Sequence, residues 1–148
     1  MHRGFLQAWD SVKPRLLSAV ASAVASADPS AAAGDGGGGG GEGEDGAPPS
    51  LPPWTIYVTG HSLGGALATL CSFDMASGRS SAIPGLRPEA FDVAYYSFGA
   101  PRVGNAAFAR AFGRRMQAAS DAAAARPPER RGNAQAAGAS FRVVNQRD

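Results

Sequence analysis

The spacing of apolar residues predicts a long amphipathic helix at the start of the chain. In residues 2–27 apolar side chains recur at steps of three and four, the spacing of one face of an α-helix. That predicted face comprises Phe5, Trp9, Val12, Leu16, Val20 and Ala23. Pro14 lies inside the pattern and is expected to kink the helix or mark a new helix start, because proline has no amide hydrogen to donate.

The middle of the chain predicts strands and helices in alternation. Residues 54–60, WTIYVTG, form a short β-branched and aromatic run that is typical of a buried strand. A helix of mostly small residues is predicted over 64–76. A second strand is expected within 91–101, and Asn105 is expected to cap a helix over about 106–116.

A last strand is predicted over 140–145, which makes three strands in all. Strands that alternate with helices imply crossover connections and a parallel sheet, so the pattern is that of an α/β fold. Three strands are few for an open sheet of this class. With 148 residues the chain is long enough for one domain at most.

Two stretches, 28–53 and 117–139, are predicted to be disordered inserts. The first is a glycine-rich tract with five acidic and no basic residues; the second can begin as helix but is broken at Pro127-Pro128. The rest of the chain is therefore more basic than the net charge of +2 indicates. A solvated surface explains that charge most simply; the alternatives are peripheral contact with an anionic lipid surface and a docking loop at 117–139.

Composition narrows the classes of protein to consider. One cysteine, Cys71, excludes an internal disulfide. No apolar run reaches roughly 18 residues, so no membrane span is expected. Met1 is followed at once by polar residues, which is not typical of a secretory signal. Nothing in the sequence indicates a nucleic-acid partner, a metal site or a cofactor.

The stretch TGHSLGG, 59–65, contains the pattern G-x-S-x-G centred on Ser62. It follows a predicted strand and opens a predicted helix, the setting in which this pattern forms a nucleophile elbow. Side chains at Gly60 and Gly64 are expected to collide in the sharp turn. Gly65 is expected to let the helix start pack against the sheet. A glycine-rich turn without chemistry is the alternative explanation.

Four segments together resemble the class 3 (fungal-type) triacylglycerol lipase family. They are HRGFLQAW, VTGHSLGGALATLCSFD, YYSFGAPRVGNAAFARAF and FRVVNQRD, in the family's order. The resemblance implies a partial α/β-hydrolase domain that cleaves lipid esters with a Ser…Asp…His triad and no metal. It implies that Ser62 is the nucleophile, that the Leu63 N–H serves the oxyanion hole and that Asp148 is the triad acid.

The same family pattern implies that further parts of the domain lie outside these residues. A strand and a lid with a second oxyanion donor are expected before the first segment, and the catalytic histidine is expected beyond Asp148. Two other hypotheses stay open. One is phospholipid deacylation or acyl transfer through the same serine. The other is a non-catalytic homologue that binds a lipid surface or a partner.

Neither histidine of the chain is a good candidate for the base. His61 adjoins Ser62, and neighbouring side chains in a tight turn point apart, so we expect it to pack or hydrogen-bond beneath the elbow. His2 precedes the first helix. Asp74 and Asp92 compete with Asp148 as the acid. Asp74 is expected on a solvated face of the helix after the elbow, whereas Asp148 follows the end of a strand, where α/β sites gather.

Overall fold

The elements of the fold follow the predicted order. A computed structural model describes residues 3–28, 53–76, 83, 85–86, 90–128, 131 and 136–144. Within those residues the chain forms α1 (Arg3–Ala27), β1 (Trp54–His61), α2 (Leu63–Met75), β2 (Phe91–Phe98), α3 (Ala106–Ala124) and β3 (Ser140–Val143). The α/β class is confirmed, and each strand begins at the residue that the hydrophobic pattern predicted.

In the described part of the chain the sheet has three strands in the order β1-β2-β3, and both pairs are parallel. Gly60 in β1 lies opposite Ser97 in β2, and Ser97 lies opposite Arg142 in β3. This register brings the carboxyl ends of all three strands to one edge of the sheet. Side chains that follow those ends therefore meet there, as in other α/β sites.

The core lies between one face of the sheet and the helices. α2 buries its small side chains against Ile56, Val58 and Val93, and α1 packs on the outer side of α2 through Trp9, which is 2% exposed. α3 covers Tyr95 with Met116. The small residues of α2 allow this close approach of helix to sheet, since few side-chain atoms separate the two backbones.

α1 is one helix through Pro14, so the expected new helix start is wrong. Its buried face also differs from the prediction. Trp9, Leu17 and Val24 are buried, whereas Val12 and Leu16 are exposed. The contact side of α1 runs through Trp9, Lys13 and Leu17. There the carboxylate of Asp74 in α2 accepts hydrogen bonds from Trp9 Nε1 at 2.8 Å and from Lys13 Nζ at 2.7 Å.

The stretch 117–139 begins as helix. α3 continues to Ala124, well beyond the expected end, and Asn105 caps it by accepting a hydrogen bond from the Phe108 N–H at 3.0 Å. Ala136 and Ala137 are buried. Most of the insert predicted over 28–53 lies outside the described residues. None of the helices described is long and apolar enough to cross a membrane.

Candidate active site

Ser62 occupies a strained turn between β1 and α2. Its φ of 51° and ψ of −123° make it the single non-glycine residue with positive φ among those described. Its N–H donates a hydrogen bond to the carbonyl oxygen of Phe98 at 2.9 Å, which ties the turn to the end of β2. Such a conformation costs of the order of 1–3 kcal/mol and persists only where the surrounding structure holds it.

Two of the three elbow glycines are required by close packing. A Cβ on Gly60 would collide with the carbonyl oxygen of Gly64, and a Cβ on Gly65 would lie 2.7 Å from the Cβ of Ala100. Gly64 is different, because a Cβ there would meet no atom within 4 Å. The expectation that a side chain at Gly64 collides is therefore wrong. Gly64 contributes to the close packing of the elbow through its carbonyl oxygen, which leaves no room for a side chain at Gly60.

The start of α2 presents free N–H groups beside Ser62. The first bond into the helix runs from the Ala66 N–H to the Ser62 carbonyl at 3.2 Å, and the Ser62 side chain makes no capping bond. The N–H groups of residues 63–65 therefore have no partner within the helix. The partial positive charge of the helix N-terminus lies at the same place as these N–H groups. The Leu63 N–H can therefore stabilise a developing oxyanion.

A groove of about 600 Å³ lies at the carboxyl edge of the sheet and includes Ser62. The loop Gly99–Arg102 forms one side of it, and Arg142 and Val144 at the end of β3 form another. Arg142 Nη2 donates a hydrogen bond to the carbonyl oxygen of Ala100 at 2.8 Å, which holds that loop in place. A substrate in this groove would contact both the serine and two guanidinium groups, those of Arg102 and Arg142.

His61 is exposed, at the end of β1 opposite Phe98. Its Nε2 lies against Gly99, 3.6 Å from the position of a Cβ there, and its imidazole makes no hydrogen bond to Ser62 in the described structure. The expectation that it packs beneath the elbow is wrong, since the residue is exposed and its ring lies beside Gly99. His2 and Asp148 lie outside the described residues.

The other acids have structural partners. Asp74 joins α1 to α2, so its assignment to a solvated face is wrong. Asp92 is 6% exposed and pairs with Arg126 at 2.7 Å. Burial raises the pKa of the Cys71 thiol to about 12, with a smaller contribution from the charge of Asp74. The structure brings none of these three side chains into the Ser62 groove.

Sequence reasoning missed the two arginines of the groove. Each follows or ends a strand, and the carboxyl ends of parallel strands gather at one edge of the sheet. That rule, applied to Arg102 and Arg142 as it was to Asp148, would have found them.

The family model of class 3 lipases matches residues 49–148, about two thirds of the chain.

The chain belongs to the class 3 lipase family. A secreted mono- and diacylglycerol lipase of Fusarium solani is 34% identical over 109 residues, which cover 74% of this chain and 22% of the relative. Lipase ZK262.3 of Caenorhabditis elegans is 46% identical over 59 residues, which cover 40% of this chain and 15% of that lipase. The matched part thus spans about a fifth or less of these relatives. No solved structure matches the chain.

Proposed function

We propose that this chain is the nucleophile-bearing part of a hydrolase that cleaves lipid esters through an acyl-Ser62 intermediate. The observation that carries the proposal is the strained backbone of Ser62 at the end of a parallel strand, with the unpaired N–H groups of α2 beside it. A turn without chemistry gains nothing from a strained serine, whereas a nucleophile gains an exposed hydroxyl aimed into the groove.

The proposed reaction proceeds in two halves. A base takes the proton of Ser62 Oγ as the oxygen attacks the ester carbonyl carbon, and the carbonyl oxygen becomes an oxyanion near the Leu63 N–H. The intermediate collapses, the alcohol leaves with the proton from the base, and the acyl group stays on Ser62. Water, activated by the same base, then attacks the acyl-serine and releases the fatty acid.

The base in this proposal is a histidine that follows Asp148 in a longer chain, with Asp148 as the acid that orients it. The position of His61 supports this assignment. Its imidazole lies against Gly99 and forms no hydrogen bond to Ser62 in the described structure. A base must come within hydrogen-bond reach of the hydroxyl, directly or through one water.

The proposed substrates are acylglycerols or related lipid esters. The relative from Fusarium solani is a mono- and diacylglycerol lipase by name, and the class 3 lipase model matches residues 49–148, which include the elbow. The groove beside Ser62 is open, which suits a substrate presented at a lipid surface. We expect no cofactor, because acyl transfer to serine needs only the triad and the oxyanion donors.

The test is ester hydrolysis by this chain and by a version extended in both directions, upstream through the strand and lid expected there and downstream through the histidine expected after Asp148. The extended chain should hydrolyse p-nitrophenyl butyrate and a monoacylglycerol, and Ser62→Ala should abolish both activities. Asp148→Ala should lower kcat by about 10⁴-fold, as loss of a triad acid does elsewhere. The exposed Asp121 provides the control, since Asp121→Ala should keep full activity.

The 148-residue chain should show no turnover that depends on Ser62. Turnover that Ser62→Ala abolishes and His61→Ala also abolishes would make His61 the base and overturn that assignment. An extended chain that is folded but inactive on every ester would favour the alternative, a homologue without catalysis. An extended chain that deacylates phospholipids but no acylglycerol would favour the other alternative, phospholipid deacylation through Ser62.

A further inference from the structure

The carboxyl end of β3 is held in place by few contacts. All four side chains of the strand, Ser140–Val143, are exposed, so burial against the core does not fix it. From this end the chain continues to Asp148, five residues beyond Val143. Groups that take part in a reaction must be held within about 0.5 Å of their productive positions. The contacts at the end of β3 therefore bear on the alignment of the site.

Residues 98–100, which we call the bridge segment, connect the serine elbow to the end of β3. On one side the carbonyl oxygen of Phe98 accepts the hydrogen bond from the Ser62 N–H at 2.9 Å. On the other side the Gly99 N–H donates to the carbonyl oxygen of Val143 at 2.8 Å. A shift of the bridge segment would therefore move the nucleophile relative to β3.

Ala100 contacts both the elbow and a charged side chain of β3. It is 6% exposed, and its Cβ would lie 2.7 Å from a Cβ added to Gly65, so it packs closely on the start of α2. Its carbonyl oxygen accepts a hydrogen bond from Arg142 Nη2 at 2.8 Å. A hydrogen bond from a charged donor is roughly twice as strong as one between neutral groups. The guanidinium thus holds Ala100 against the elbow.

At this level of the sheet Arg142 is the side chain that supplies the connection. The strands place Gly60, Ser97 and Arg142 side by side. Gly60 has no side chain, and the Ser97 hydroxyl, which is fully buried, has no hydrogen-bond partner within the described residues. Of the three, Arg142 is the one that reaches the bridge segment through a side-chain hydrogen bond.

We propose that Arg142 is a positioning residue for the reaction at Ser62. Its bond to Ala100 holds the bridge segment on the elbow and fixes the elbow relative to the strand end that leads to Asp148. Arg142 acts through Ala100 and exchanges no proton with the reacting atoms. This inference rests on the proposed function, because it concerns the alignment of a nucleophile with its triad acid.

The first test measures turnover by the chain extended in both directions. Arg142→Gln releases Ala100, and since a misplacement of about 1 Å can cost about 10²-fold in rate, kcat for p-nitrophenyl butyrate should fall about 10- to 100-fold. KM should stay within about two-fold, because this neutral ester gains little binding energy from a charge. Arg142→Lys keeps a charged donor and should recover part of the lost kcat. Arg110→Gln, exposed on α3, is the control and should keep full activity.

The kinetic constants separate two roles of Arg142. A residue that binds the substrate equally in the ground state and the transition state changes KM and leaves kcat unaltered, whereas one that aligns the nucleophile changes kcat. A raised KM with unchanged kcat for Arg142→Gln would therefore overturn the proposal. Circular dichroism and thermal unfolding check that each variant is folded under the assay conditions.

A double-mutant cycle tests whether Arg142 acts through Ala100. Ala100→Gly removes the methyl group that packs on Gly65 and keeps the carbonyl oxygen that Arg142 binds. If the guanidinium works by holding this methyl group on the elbow, both substitutions break the same contact. The double variant should then lose little more kcat than Arg142→Gln alone. Losses in kcat that simply multiply would mean independent effects and would overturn the proposal.

Amide hydrogen exchange of the 148-residue chain tests the same contact without turnover. In Arg142→Gln the N–H groups of Ser62 and Gly99, both bonded across the bridge segment, should exchange about ten-fold faster, the factor expected for loss of a charge-assisted hydrogen bond. The Tyr95 N–H, bonded to the Ala139 carbonyl at 2.8 Å near the start of β3, is the control and should keep its rate. Unchanged rates at Ser62 and Gly99, or equal acceleration at Tyr95, would overturn the proposal.

These outcomes separate the role of Arg142 from the proposed function. Faster exchange at Ser62 and Gly99 in Arg142→Gln, in a protein whose extended chain hydrolyses no ester, keeps the hold on the elbow and rejects the hydrolase. Ser62-dependent hydrolysis, with kcat and exchange both insensitive to Arg142→Gln, keeps the hydrolase and rejects the positioning role.

Discussion

At the residue scale the elbow is held by two kinds of contact. The bond from the Ser62 N–H to the Phe98 carbonyl fixes the turn to the neighbouring strand. Close packing of Gly60 and Gly65 against the backbone removes the room in which the turn could relax. Together they offset the cost of the left-handed conformation at Ser62, so the hydroxyl is positioned before any substrate arrives.

The glycines of the elbow should respond differently to alanine. Gly60→Ala should destabilise the chain by about 3 kcal/mol or more, because the new Cβ strikes backbone that cannot move without breaking the elbow. Gly64→Ala should be neutral or stabilising by up to about 1 kcal/mol, since alanine favours helix and the position is open. Urea denaturation of the two variants measures the change in the free energy of unfolding for each. Equal losses would mean that the turn is not packed as described.

The thiol of Cys71 should be unreactive in the folded chain. Burial raises its pKa from an ordinary 9.0 to about 12, so the thiolate is scarce at pH 8. Iodoacetamide should therefore modify it slowly until urea unfolds the protein. Because the folded pKa is the higher one, the stability linked to this group is complete below pH 9 and is lost as pH rises toward 12. Rapid native alkylation at pH 8 would contradict this burial.

The sequence was sufficient to propose Ser62 and Leu63, because the spacing of the glycines and the change from strand to helix are local features. It was not sufficient for Gly64 or for Arg142. The space around Gly64 depends on which backbone atoms cross it, and the contact of Arg142 with Ala100 joins residues 42 positions apart. Such contacts follow from strand order, which local periodicity does not encode.

At the scale of the elements, starts were easier to predict than helix faces and ends. β1, β2 and β3 begin where their apolar runs begin. The buried face of α1 was misjudged, because Lys13 lies on the contact side through its bond to Asp74, and a pairing between residues 61 positions apart depends on tertiary contact. The end of α3 was left open between Met116 and Pro127, since the second half of the helix, rich in alanine, lacks an apolar period although alanine strongly favours helix.

The end of α3 should contribute to stability through one ion pair. Arg126 Nη1 lies 2.7 Å from Asp92, whose side chain is 5% exposed. Arg126→Gln leaves that carboxylate buried without its cation and should cost about 3 kcal/mol in urea denaturation. Arg114→Gln, exposed on α3, which precedes Arg126, should cost little. A negligible loss for Arg126→Gln would restore the prediction that this stretch is a loosely attached insert.

At the scale of the whole molecule the two faces of the sheet are unequal. Among the described residues the helices cover one face, whereas the other carries Tyr57 and Phe141, which are more than half exposed, on either side of Tyr96. The rings of Tyr96 and Phe141 stack with centroids 5.0 Å apart. Parallel sheets are normally covered on both faces. An aromatic face of this kind favours association in water, because burying it removes apolar surface from solvent.

We therefore expect this chain to associate with further copies of itself through that sheet face. Light scattering after size exclusion should give a mass above that of the monomer, and the mass should rise with concentration. Replacing Phe141 and Val143 by serine and threonine should shift the mass toward the monomer, because both side chains are 52% exposed on this face. Removing similar exposed apolar surface from α1, with Leu6→Ser and Val12→Ser, should leave association unchanged. A wild-type chain that stays monomeric at high concentration would show that the aromatic face is tolerated in water. An equal effect of the α1 variants on the mass would show that association is not specific to the sheet.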